Sequence, residues 1–193
     1  MSKARMWLPP VLLALIAGGL PLAGQQPAEL APEWEIRKSL AALVEETQRL
    51  KPLLEAIKPE QWSAQGAPAG YAEQLKSVLA AMDYLRVSAD ELAAQPDRLT
   101  KALETYFRMQ SLEALLGSLS EGVRRYQNPA LADLLNGAVN RGASSREMLR
   151  RYLVDLAAAK EEELKVMDAE AQRCRAGLSR QGQERDNPAR KAQ

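Results

Sequence analysis

Histidine is missing from all 193 positions. Its absence removes the Ser-His-Asp triad, the Cys-His dyad, His-ligated zinc and C-x-x-C-H haem attachment together. Cysteine occurs once, at Cys174, so neither an internal disulfide nor a Cys-based zinc site can form. Aromatic residues make up only 5% of the chain, with a single Phe. An excess of one charge sign is lacking as well: 26 Lys+Arg face 25 Asp+Glu. Nucleic-acid binding normally needs a concentrated basic face, and no such concentration is found, so no nucleic-acid partner is expected. No cofactor or metal is expected either. What is present is 46% hydrophobic residues, enough to build the core of one domain.

The chain opens with Lys3 and Arg5, followed by an apolar stretch from Met6 to Gly24 that Pro9, Pro10 and Pro21 interrupt. A charged start followed by an apolar run is the pattern of a secretory signal. The prolines oppose a regular spanning helix, because each removes a backbone donor. Residues 1–24 are therefore expected to be an export signal, cut after Gly24 or near Gly19, with an uncleaved anchor over residues 6–24 as the alternative. The location that follows is periplasmic or extracellular. A membrane is touched only if the segment stays attached. Leu22-Ala23-Gly24 resembles a lipoprotein lead-in, but Gln25 stands where that chemistry requires Cys. The body is mildly acidic, with 18 basic and 23 acidic residues over 25–172, and the end is basic, with six and two over 173–193.

After a short lead over residues 25–31, apolar positions recur at heptad spacing. Ile36, Leu40, Leu43, Thr47, Leu50, Leu54 and Ile57 form a first seam with steps of four and three, which predicts an amphipathic helix. Pro52 lies off that seam and predicts a kink. A Pro- and Gly-rich loop spans 58–70, with room for one helical turn at Pro59-Glu60-Gln61-Trp62. Tyr71, Leu75, Val78, Met82, Leu85, Ala89 and Leu92 form a second seam that ends near Gln95-Pro96. A third runs from about Asp97 to Tyr126 through Leu99, Ala102, Tyr106, Met109, Leu112, Leu116, Leu119 and Val123. Asn128-Pro129 predicts the cap of a short helix reaching about Val139. Ser144 with Glu147 has the spacing of a capping box. It would open a last long helix to about Ala176 along Leu149, Leu153, Leu156, Leu164, Met167, Ala171, Cys174 and Leu178, with a stutter at Lys160.

The expected fold is all-α: an antiparallel bundle of four long helices and one short one over residues 32–178, after the signal helix and before a disordered basic tail over 179–193. Aspartate placed at Leu43 or Leu79 is expected to loosen it.

Three residues stand out as candidate contact or ligand positions. Trp62 and Tyr71 flank the loop, where they would either clamp a ligand at the bundle mouth or close its open end as a buried lid. Cys174 lies on the apolar stripe between Arg173 and Arg175, a position for a core or interface residue, for an intermolecular disulfide, or for an activated thiol. Trp34 is expected beside the first seam and Trp7 in the signal. Glu161-Glu162-Glu163 and Glu45-Glu46 cannot converge on an ion, because helical neighbours point about 100° apart. Thr47, Gln110, Glu113 and Lys160 lie at or beside seams, where they would form a register-setting polar layer or line a small polar pocket.

Gly66-Ala67-Pro68 before Tyr71, the run from Tyr126 to Leu135, and Glu170-Ala171-Gln172-Arg173-Cys174-Arg175 together resemble exported helical proteins of acidobacterial-type bacteria. That resemblance implies an exported helical chain and brings no activity or catalytic residue with it. The Pro-Glu-Gln-Trp turn is similar to that of metal-dependent DinB-like four-helix bundles, whose ligands are histidines that this chain lacks. The functional expectation is a non-catalytic helical-bundle protein acting through protein contacts in the bacterial envelope, as scaffold, adaptor or chaperone-like component. Self-association through Cys174 is one form of that contact. The alternative is a small-molecule module with a pocket near Trp62 and Tyr71.

Overall fold

The computed structural model describes residues 30–186; the expected signal over 1–24 and the last seven residues lie outside them. Among the described residues all regular structure is helical. The α-helices are α1 (Glu33–Gln48), α2 (Lys51–Glu55), α3 (Gly70–Ala94), α4 (Leu99–Tyr126), α5 (Pro129–Arg141) and α6 (Ala143–Asp186), with a 3-10 helix over Pro59–Gln65 between α2 and α3. They gather around one core.

Pro32 opens α1 with its carbonyl accepting from the amides of Glu35 and Ile36. All seven members of the first seam are buried, from Ile36 through Ile57. The helix they lie on is broken where the sequence predicts only a kink. Pro52 has no N–H to donate to Gln48, so the ladder fails there. The chain tightens instead, with the amide of Leu50 donating to Thr47 and that of Leu53 to Leu50. Leu50 keeps right-handed helical dihedrals, φ −74° and ψ −23°, and the seam crosses the break unshifted.

The predicted single turn at Pro59 is a 3-10 helix of seven residues. Gly66 ends it at φ +80°, a left-handed conformation that glycine adopts without steric cost. The amide of Ala67 donates back to the Trp62 carbonyl.

α3 and α4 form a helical hairpin across Gln95–Arg98. Thr105 Oγ1 donates to the Ser88 carbonyl at 3.0 Å, and Gln74 Nε2 reaches the Leu115 carbonyl further along at 3.4 Å. These pairings place the two helices antiparallel. Arg37 of α1 donates to the carbonyl of Ala93 at 3.0 Å, where a cation suits the C-terminal end of α3. Asn128 caps α5 as its sequence predicts, accepting the amide of Ala130 at 2.9 Å. Arg124 of α4 pairs with Asp133 of α5 at 2.6 Å.

Four expectations need correction. The capping box at Ser144 is not made: α6 begins one residue earlier, the Gly142 carbonyl accepts from the Arg146 amide, and Glu147 is taken up by Arg150. Leu79 is 37% exposed, because it lies next to the seam of α3 and not on it. Residues 179–186 of the expected disordered tail continue α6. Lastly, only the first part of α6 belongs to the core. It buries Leu149, Tyr152 and Leu156. Leu164, Met167 and Leu178, expected in the same seam, are 64%, 58% and 69% exposed. Past Lys160 no face of the helix meets the bundle: residues 161–170 are exposed all round, so the eight-residue step from Leu156 to Leu164 leads into a part of α6 that projects past its neighbours. Beyond Leu156 the helix runs on for roughly 45 Å.

Candidate functional site

Two internal arrangements and one external one carry the chemistry that the sequence singles out. The first is the aromatic lid. Trp62 is 1% exposed. Tyr71 meets it edge-on at 5.2 Å between ring centroids, and Tyr126 stacks on it at 6.1 Å. Gly122 makes the close approach possible: a Cβ there would lie 2.5 Å from Tyr71 Cε1 and 3.0 Å from Trp62 Cζ3. The indole N–H donates to Gln127 Oε1 at 3.1 Å. The same oxygen accepts the Lys58 amide at 2.8 Å, and Gln127 Nε2 donates to the Ala56 carbonyl at 2.8 Å. One amide side chain thus ties the end of α2, the 3-10 helix and the end of α4. The indole is buried and its N–H is engaged within the protein, so a ligand would have to displace neighbouring side chains to reach it. Glycine within the third seam offers a close helix approach at Gly117 or Gly122, and the structure uses it at Gly122 alone; Gln127 is not signalled, since a helix-ending glutamine looks ordinary in sequence.

The second arrangement is polar and lies between α1, α4 and α6. Thr47 and Glu113 meet here, as the polar-layer reading of the sequence places them, together with Glu46 and Arg146. A cavity of about 40 Å³ lies between their side chains and Leu43, Leu85 and Met109. Thr47 Oγ1 is satisfied by its own helix, donating to the Leu43 carbonyl at 2.8 Å. Arg146 Nη1 donates to the Val139 carbonyl at 2.7 Å, and its Nε approaches Glu113 Oε1 at 2.5 Å. The contact is an ion pair. Burial pushes the Glu113 carboxyl above its ordinary pKa, against the opposing pull of Arg146. Glu46 Oε2 is buried without a protein hydrogen-bond partner. The space beside it accepts a water molecule or two and is far below the several hundred Å³ of a ligand pocket. Gly142 fits here because a Cβ would lie 3.2 Å from Glu46 Oε2 and 3.3 Å from Arg146 Nη1.

Gln110 and Lys160 are not part of this layer. Gln110 is exposed and donates to the Tyr106 hydroxyl at 2.7 Å. Lys160 pairs with Glu163 at 2.9 Å. Glu161, Glu162 and Glu163 are solvated, and Glu45 pairs with Arg49. Among the described residues, no three acidic or thiol side chains gather as metal ligands would.

The third arrangement is external. Cys174 is exposed, which corrects its placement in the bundle core. It stands on the projecting part of α6 in one row with Leu164, Met167, Ala171 and Leu178, at steps of three and four. Trp34, expected against the first seam, is instead 64% exposed and lines an open groove of about 470 Å³ between α1 and α6. Tyr84 and Phe107 are exposed on the α3/α4 face, with Arg108 over the Tyr84 ring at 5.3 Å, beside a groove of about 360 Å³. No helix of the described residues is long and apolar enough to cross a membrane.

Comparison with known proteins found no matching family, no similar curated protein and no similar solved structure.

Proposed function

We propose that this chain is an exported, non-catalytic helical-bundle protein of the bacterial envelope that acts through protein contacts, as scaffold, adaptor or chaperone-like component. The observation that carries this reading is the projecting part of α6. An apolar row at regular helical spacing, presented to solvent over several turns, is covered by nothing among the described residues, and contiguous exposed apolar surface marks interaction sites. The helical bundle acts as the body that presents this arm. Trp62 and Tyr71 close one end of that body, and the charged layer at Arg146 fixes its register. The signal-like pattern over residues 1–24 supports export.

Affinity capture tests this reading. The tagged protein, matured from the full-length chain in its own envelope, is compared with a variant in which Leu164, Met167 and Leu178 are each replaced by Gln. The reading expects proteins that accompany the native chain and are lost with the variant. Capture of the same set by both forms, or a copurifying small molecule in place of a protein, would contradict it.

A further inference from the structure

We propose that the partner covering the α6 arm is the arm of a second copy of this chain, packed antiparallel. The inference rests on the protein-contact reading above and names the occupant of the same surface.

The row Leu164, Met167, Ala171, Cys174 and Leu178 alternates steps of three and four, which is the a/d pattern of a two-stranded coiled coil. Leu164, Ala171 and Leu178 take position a; Met167 and Cys174 take position d. The small side chains of Ala171 and Cys174 occupy the middle, where two helices must approach most closely.

Charge selects the orientation. Residues 157–171 carry two basic and five acidic residues, whereas 172–182 carry three basic and none acidic. Parallel pairing would set acidic half against acidic half. Antiparallel pairing sets each acidic half against a basic one. With Ala171 opposite the second copy's Cys174, Met167 falls opposite Leu178. Asp168 and Arg175, both at position e, then face each other across the seam twice by symmetry. In a parallel pair Asp168 would instead face Glu163 at position g, a repulsive contact.

The arm also has reason to need a partner. Helices in proteins draw most of their stability from packing of an apolar face, and this one carries Gly177 and Gly182, each costing roughly 1 kcal/mol relative to Ala. Pairing supplies the packing that the bundle does not.

Sedimentation equilibrium of the protein, matured from the full-length chain, tests this with three variants. The native chain is expected to form a reversible dimer. Leu164→Glu with Leu178→Glu should be monomeric, with the thermal midpoint of the bundle unchanged because both residues are exposed. Asp168→Arg should weaken the dimer roughly fivefold or more, since two ion pairs become two repulsions. Adding Arg175→Asp to it should restore the native affinity. A native chain that stays monomeric at high micromolar concentration overturns the proposal, as does a dimer that survives Leu164→Glu with Leu178→Glu. Tighter association in Asp168→Arg overturns the antiparallel arrangement, because that change repairs the parallel one. A monomer whose envelope partners still depend on Leu164 and Leu178 would sink this inference and leave the protein-contact reading standing.

Discussion

Gly117 and Gly122 are five residues apart on α4 and look alike in the sequence, but a methyl group has opposite consequences at the two. Alanine at Gly122 would press its Cβ into Tyr71 and Trp62, so Gly122→Ala should cost about 1–3 kcal/mol by overpacking. At Gly117 nothing lies within 4 Å, and Gly117→Ala should gain up to ~1 kcal/mol from helix propensity. Urea unfolding of the two variants measures both signs; equal effects would refute the described closeness of the lid. Gln127→Ala removes an acceptor shared by Trp62 and Lys58 and a donor to Ala56, and should cost about 2 kcal/mol. At Glu113 the sign follows from burial. Its folded pKa lies above the ordinary carboxylate value, so the fold holds the proton more tightly than the unfolded chain does. This group's contribution is therefore most favourable at acid pH and is lost as pH rises from the ordinary carboxylate value of 4.5 through the raised one. Glu113→Gln should flatten that part of the stability–pH profile. An unaltered profile would show that burial does not govern the carboxyl. The sequence offers the buried lid at Trp62 and Tyr71, a close approach at a glycine of the third seam and the polar layer of Thr47 and Glu113, but not the role of Gln127 or which glycine is used. Arg146 and Gly142 take part through a helix junction that no spacing rule encodes.

Helical periodicity gives most of the elements away. The first seam is buried at every one of its seven positions, and the second and third follow closely, because a heptad row of apolar residues has one low-energy place to go. Leu43→Asp puts a charge into that row and should cost ~4 kcal/mol or more. Leu79→Asp lies one residue off its row, with 37% exposure, and should change stability by less than about 1 kcal/mol. Thermal unfolding followed by circular dichroism separates the two, and equal losses would mean that the α3 face is misassigned. The same periodicity misleads at α6. The apolar row continues in sequence past Leu156, and spacing alone does not say whether it faces the same partner. The eight-residue step to Leu164 was visible as a stutter, but its consequence depends on where α1 and α4 end in space. Pro52 was equally visible, and whether it bends or breaks the helix was set by the tight turn at Arg49–Leu50. Tyr152 replaces Leu153 as the buried residue: Ser145, Leu149, Tyr152 and Leu156 follow one another at steps of four, three and four, and the Tyr152 hydroxyl donates to the Pro96 carbonyl, a partner that no pattern within α6 reveals.

At the scale of the molecule, the chain is a head and an arm made from one uninterrupted helix. The head needs no ligand to account for its interior: Trp62 of its aromatic lid is buried among its neighbours, and its polar layer surrounds space for water only. The arm has an apolar row and a charge pattern that the head does not use. That division is the central claim, and the thermal midpoint of a chain ended at Ala159 tests it most directly. If the arm serves contacts outside the fold, the shortened chain should melt within about 2 °C of the complete one, since a loss below 1 kcal/mol shifts a domain of this size by only a few degrees. A fall of roughly 10 °C or more would show that residues beyond Ala159 hold the core together, and would remove the ground for reading them as a contact surface.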